Sequence, residues 1–358
     1  MPHSKKTLIL VVSVIAVLVV ILFVISRETT SKLTAIEANP GSILGAECHI
    51  VAVTTQGKAD RKKDALNNVE QVLRDIELKM SADIEGSEIS LLNKAVTNQK
   101  IAISDSTSYV LLLSRKIFLQ SDYAFDITTK PLITLWQDAG KEGKRPSVEE
   151  VNTARSISYF ISLTVEGNTV WKDSDTTVVD LDGIARGYAA DIGVEDLKNK
   201  GFKGGLIDLG GDIKCFGPSS SSDKWDVPIY SPFDQSGQQV FMTLLITDKA
   251  ICTIRDFQVT STVDGKNYGF NIEPRTGYPN QSAWLTTVIA DEAAIADAWS
   301  SALSVLCSDG FDNFRKSDGI EAMVVTGTPD NFTITMTAGF ESYIKEKLPD
   351  DWIVEIIK

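Results

Sequence analysis

The feature that most constrains this chain is the apolar run from Leu8 to Ile25, broken only by Ser13, with Lys5 and Lys6 before it and Arg27 after it. A bilayer core holds no water to satisfy backbone groups, so a single run of this kind crosses it only as a helix. At about 1.5 Å per residue the run covers about 27 Å, close to a hydrocarbon core of about 30 Å. A cleaved signal peptide usually carries a shorter apolar region, of about 7–15 residues, with a small-x-small site after it. This run is longer, lacks a convincing site of that kind, and has no Cys close behind it for a lipid anchor. It is expected to be an uncleaved signal anchor at residues 7–26. Residues 1–6 are then a short cytoplasmic tail, 27–42 a polar connector with Pro40 and Gly41, and 43–358 one domain on the extracytoplasmic side of the cell membrane.

The remainder reads as α+β, a mixed α/β pattern without internal repeats. Alternation over Glu47–Thr54 predicts a strand, and Ala65, Val69, Val72, Leu73, Ile76 and Met80 recur at the spacing of an amphipathic helix over about Asp60–Met80. A second helix is predicted over Tyr109–Phe118, capped by Ser104 or Asp105. Strands are predicted at Thr177–Leu181, Gly205–Leu209, Asp226–Tyr230, Val240–Ile246, Leu285–Ala290 and Ala322–Thr326, with helices at Ile184–Lys200 and Ala293–Leu306. The serine-rich stretch Gly217–Asp223 is a surface loop, because strand signals resume directly after it.

Composition removes several classes of function. A net charge of -13 argues against a nucleic-acid binder. It also means that any anionic ligand needs a local device to hold it. With only two histidines, His3 and His49, a hydrolytic triad and a His-rich zinc site are both excluded as expectations. Cys48, Cys215, Cys252 and Cys307 form no C-x-x-C pair, which removes zinc-ribbon and thioredoxin-like readings. Small buried thiols are the ordinary reading of such cysteines, with one or two disulfides left open.

Three clusters of glycine and acid stand out: Asp180–Gly187, Asp208–Asp212 and Glu273–Gly277. In the first, a strand is expected to end in Asp-Gly and a helix to begin, so that backbone N–H groups and Arg186 face a phosphate. Gly183 and Gly187 would permit close backbone approach. In the second, paired glycines make a tight turn between strands. No Walker or Rossmann spacing is present. Asp297 and Ser301 stand four residues apart on a predicted helix, so both oxygens share a face. A carboxylate with a hydroxyl suits Mg²⁺, which takes hard oxygen ligands and often bridges substrate phosphates.

Further stretches join these clusters: Met80-Ser81 with Ser87–Ser90 and Asn93, then Ala124–Thr128 with Pro131-Leu132 and Leu135-Trp136, and Ala296–Trp299. In this order they resemble the ApbE-type FAD:protein FMN transferases, from about Ile43 to near the C-terminus. The resemblance implies an FAD-binding α/β domain with Mg²⁺ on the pyrophosphate. It implies transfer of FMN to a Thr or Ser hydroxyl of an acceptor protein, with release of AMP, and acceptors that are membrane-associated electron-transfer subunits. By match, flavin contacts fall on Leu44, Ala124, Phe125, Asp126, Asp180, Arg186 and Ile272. Metal contacts fall on Asp297, the Ser301 hydroxyl, Ser300 and the carbonyl of Gly183.

The chain departs from the family pattern at several places. Phe270 and Glu273 stand where the family commonly has His and Asp, and Arg186 stands for Lys. Thr253-Ile254-Arg255 replaces Thr-Ser-Gly, Ser301 replaces Thr, and Asp83 replaces an aromatic residue. Phenylalanine cannot take a proton, so Asp256 or Glu273 is the expected substitute base. A flavin-binding or partner-binding relative without transfer activity is the alternative class.

Overall fold

Alternating side chains and frequent β-branched residues give this chain a nine-stranded sheet whose spatial order follows the order of the chain. A computed structural model of the protein describes residues 32–234, 236–255, 261–263, 266–268, 271–280, 283–314 and 319–357. The run Leu8–Ile25 lies outside the described residues, as do Asp256 and Phe270. Among the described residues, no helix is long and apolar enough to cross a membrane.

The sheet strands are β1 (Leu33–Ile43), β2 (Ala46–Thr55), β3 (Gly204–Leu209), β4 (Asp212–Phe216), β5 (Ala250–Arg255), β6 (Ala283–Ala290), β7 (Glu321–Thr328), β8 (Asn331–Thr337) and β9 (Ile353–Ile357). All neighbours are antiparallel except β8 and β9. Central strands bury both faces, and the period of two shows which residue serves which side. On β7, Ala322 and Val324 enter one core while Met323 and Val325 enter the other. On β5, Ala250 and Cys252 divide from Ile251 in the same way.

One face is covered by three helices: α1 (Ala59–Met80), α5 (Ala185–Asn199) and α6 (Ala293–Leu306). Between α1 and α5 in sequence come α2 (Asp105–Gln120), α3 (Lys130–Glu142) and α4 (Val148–Ile157). Ser104 caps α2, accepting from Thr107 N, and Ser147 with Glu150 forms a capping box on α4. The opposite face of the sheet is covered by a hairpin, Trp225–Tyr230 paired with Val240–Ile246, which buries Val227, Ile229, Met242 and Leu244 against it. A third, small core joins α3 and α4 through Leu132, Trp136, Val151 and Ala154, together with Ile272.

Two expectations are corrected here. Residues 33–42, placed in a polar connector, belong to the edge strand β1. Its register shifts between Ala38 and Gly41, around Pro40, and an edge strand tolerates a proline because one side of it needs no ladder bond. Thr177–Leu181 belongs to no sheet. Side chains replace the ladder: Asn93 Nδ2 donates to Val179 O at 2.8 Å and its Oδ1 accepts from Val179 N at 2.7 Å. Lys172 Nζ donates to Thr177 O at 2.9 Å. All four cysteines are free thiols.

Candidate functional site

The expected contact residues, scattered over most of the sequence, gather around a cleft of about 570 Å³. That lies within the common range of about 300–1,000 Å³ for small-molecule sites. Its rim begins at the β1–β2 turn, where Gly45 and Ala46 line it. Leu44 holds that turn in the left-handed region, φ 51, and donates its N–H to Glu77 Oε1 at 2.7 Å. The Leu44 side chain is buried in the core, so Gly45 and Ala46 face the cleft in its place.

Ala124, Phe125, Asp126 and Ile127 form the next part of the wall. Asp126 is a local organiser: Oδ1 accepts from Thr128 N at 2.8 Å and Thr128 Oγ1 at 2.7 Å, and Oδ2 accepts from Phe160 N at 3.4 Å. Burial pushes its carboxyl up to about 6, against the lowering effect of these hydrogen bonds. Asp180 lies beside it in the wall, paired with Lys130 Nζ at 2.8 Å and accepting from Asp182 N at 3.1 Å. Lys130 is a cleft residue that the sequence reading did not single out. Asn271 is another: its Nδ2 is buried with no hydrogen-bond partner among the described residues. A buried donor left unpaired is costly, and a polar ligand in the cleft would satisfy it.

The start of α5 differs from the expected open phosphate nest. Ile184 N and Ala185 N donate to Leu181 O, and Gly187 N donates to Asp297 Oδ2 at 3.1 Å, so these donors are already used. Arg186 does line the cleft, with its Nε 2.7 Å from Asp212 Oδ2. That ion pair joins the first glycine cluster to the second, whose Gly210 also borders the cleft. Gly187 serves helix packing, because a Cβ there would stand 2.2 Å from Ala293 O. Gly183 is the glycine at the cleft, where a Cβ would meet Ser301 Oγ at 3.0 Å and Phe125 Cε2 at 3.3 Å.

On α6, Asp297 and Ser301 share a face as the spacing predicts. Asp297 is buried against the α5 backbone, and Ser301 lines the cleft one turn later. Burial, then the nearby Asp212, pushes the Asp297 carboxyl well above the usual range, against the opposing effects of Arg186 and Gly187 N. Ser300 faces elsewhere: it is fully buried and its Oγ donates to Asp297 O at 2.8 Å.

Ile272 lines the cleft and Glu273 does not. The short strand Ile272–Glu273 alternates, so Glu273 faces a shallow outer groove with Thr276 and Tyr278. There Arg275 grips it from Nε at 2.8 Å and Nη2 at 2.6 Å. In this arrangement Glu273, expected as a substitute base, stands outside the cleft with its carboxylate held by Arg275. Ile254 does face the cleft, placing a bulky apolar side chain in its wall.

The family model described as ApbE family matches residues 44–324. A Vibrio cholerae relative named FAD:protein FMN transferase is 27% identical over 311 residues, covering 86% of this chain and 92% of its own length. An Escherichia coli K12 relative of the same name is 28% identical over 249 residues, covering 68% of this chain and 71% of its own. The solved structure of the flavin transferase ApbE from Vibrio cholerae superposes with a TM-score of 0.76 at 26% identity, covering 87% of this chain and 99% of that one. The ApbE protein of Thermotoga maritima has the same fold, with a TM-score of 0.76 at 24% identity.

Proposed function

Because the chain belongs to the ApbE family, we propose that it is a flavin transferase that moves the FMN part of FAD onto a Thr or Ser hydroxyl of an acceptor protein, with Mg²⁺, releasing AMP. The observation that carries this reading is the convergence of Ala124–Asp126, Asp180–Arg186, Gly210, Ile272 and Ser301 on one cleft of about 570 Å³. The acceptor oxygen bonds to the FMN phosphorus as the bond from that phosphorus to the bridging oxygen breaks. AMP leaves with the bridging oxygen, and the hydroxyl proton passes to solvent.

Within this reading each residue has a distinct task. Arg186, fixed by Asp212, presents guanidinium donors to the phosphates, and Asn271 Nδ2 supplies a polar contact. Asp180, held by Lys130, orients the flavin half. The donor set for a cation is the Asp297 carboxylate, the Ser301 hydroxyl and the Gly183 carbonyl, all hard oxygens, and Gly183 lies directly beside Ser301. Bound there, Mg²⁺ would neutralise charge at the pyrophosphate. Ser300 stands outside this set, its hydroxyl committed to its own helix. The proposal also places the domain outside the cell membrane on an N-terminal anchor, acting on a membrane-associated electron-transfer subunit.

A second reading, flavin binding without transfer, draws on Ile254 in the cleft wall and on Glu273 being engaged elsewhere. Intact-mass measurement separates the two. Full chain in detergent is mixed with FAD, Mg²⁺ and a candidate acceptor. Transfer predicts one acceptor-bound FMN for each AMP released. Bound FAD with no mass gain on any acceptor favours the second reading, and absence of FAD binding overturns both.

A further inference from the structure

We propose that the groove behind the Gly210–Gly211 turn, of about 530 Å³, receives an extended segment of the acceptor polypeptide, with its main chain against the open edge of Trp225–Tyr230. The inference rests on the transfer reading above and names where its second substrate docks. Position is the first argument. Strand β5 divides the two cavities, with Ile254 facing the FAD cleft and Thr253 and Arg255 facing the groove. Gly210 borders both. Two residues on, Asp212 holds Arg186, so the groove ends beside the group assigned to the phosphates. A hydroxyl carried along the groove arrives where the phosphorus must be.

The second argument is the kind of surface on offer. Val227, Pro228, Ile229 and Tyr230 line the groove consecutively, yet the Val227 and Ile229 side chains are buried in the core beneath. At Val227 and Ile229 this strand therefore offers the groove main-chain atoms only, while the Tyr230 ring lies against Arg255, which also lines it. Among the described residues the strand pairs only with Val240–Ile246. The far side of Val240–Ile246 is taken, by a bridge from Leu244 to Ile344 and by Lys345 N donating to Thr243 O at 2.9 Å. Thr243 thus turns its carbonyl away from Trp225–Tyr230, and by antiparallel alternation its partner Pro228 turns its carbonyl to the open edge.

Open strand edges bind extended chains by adding a strand. The proline leaves an acceptor without a donor, which discourages two copies of this edge from pairing with each other. Six residues of strand give about 20 Å of edge, room for an acceptor segment of similar length.

The test uses full chain, FAD, Mg²⁺ and a fluorescent pool of twelve-residue peptides with a central Thr and randomised flanks. His49 lines the groove from β2 and belongs to no part of the FAD cleft, so His49→Trp fills the groove. This variant is expected to lower kcat/KM for peptide flavinylation at least ten-fold while FAD affinity and FAD cleavage by water stay unchanged. Pro228→Ala adds one N–H to the open edge and should tighten peptide binding by about two- to ten-fold, the value of one hydrogen bond. Unchanged peptide kinetics in His49→Trp, or a fall in Pro228→Ala, overturns the groove. An equal loss of FAD affinity in His49→Trp also overturns it, assigning the groove to the AMP half of FAD. If wild type modifies no peptide, anisotropy decides: peptides held by wild type and released by His49→Trp keep the groove and sink the transfer reading. Absence of any peptide binding overturns the groove.

Discussion

The two walls of the cleft are held in place by different means. The helix wall, Asp180–Gly187 with Asp297–Ser301, is locked to the main core by backbone. Gly187 lets α5 and α6 touch, Asp297 accepts from Gly187 N, and Arg186 is clamped by Asp212. The hairpin wall, Asn271–Gly277, hangs on the small core of α3 and α4, and Ile254 meets it from β5 of the main sheet. Its main tie is Trp136 Nε1 donating to Gly277 O at 2.9 Å. Departures from the family pattern fall on both walls, Arg186 and Ser301 on the first and Glu273 on the second, but those on the first keep a hydroxyl and a cation beside the Asp297 carboxylate. A wall built into the core transmits a change of volume to the fold more directly than a wall on a satellite core.

The largest expected effect tests the chemistry of the helix wall. Asp297→Asn keeps an acceptor for Gly187 N but removes the charge proposed to face Mg²⁺. FAD cleavage should fall by about 10²-fold or more and lose its dependence on Mg²⁺, while the thermal midpoint moves by only a few degrees. Full Mg²⁺-dependent turnover in a folded variant would break the assignment.

A stability pair probes how the walls are held. Gly187→Ala drives a Cβ against the Ala293 carbonyl, a backbone atom that cannot swing aside, and should cost about 3 kcal/mol or more in urea unfolding. Gly277 has φ +80, and a Cβ there would meet the Val151 side chain at 2.8 Å. Gly277→Ala should cost about 1–2 kcal/mol, mostly for the left-handed backbone. Equal costs would mean that the hairpin wall is as much a part of the core as the helix wall.

The same contrast explains what the sequence made legible. Strands and helices that bury apolar side chains at a regular period were readable to within a residue or two at α6, β6 and Val240–Ile246. Strand β1 carries no such period because it is a half-buried edge, and its Pro40-Gly41 reads like a turn. Thr177–Leu181 has the composition of a strand but is pinned by the Asn93 amide and the Lys172 ammonium, contacts that no local pattern announces. The Asp297/Ser301 face was legible because helical spacing fixes it. Lys130, Asn271 and the outward turn of Glu273 were not, since each depends on which side of a tertiary cleft a residue meets.

The smallest expected effect sits on the hairpin wall. With His replaced by Phe270 in this chain, Glu273 is the nearest acid in sequence among the described residues and so an obvious base. Geometry argues against it. Ile272 and Pro274 face the cleft, Glu273 faces the outer groove between them, and both of its oxygens are engaged by Arg275. Removing a working general base typically costs about 10²–10⁴-fold in rate. Neutralising Glu273, a mostly buried side chain, leaves Arg275 unpaired but within reach of solvent, and the loss of such a pair costs about 1 kcal/mol in stability. Glu273→Gln should therefore leave single-turnover FMN transfer within about two-fold of wild type and lower stability by no more than about 1 kcal/mol. The neutral amide keeps an oxygen for Arg275 N, so the hairpin turn should survive. A rate loss of about 10²-fold at unchanged FAD affinity would show that the hairpin reorients during turnover and that the two walls are not separable.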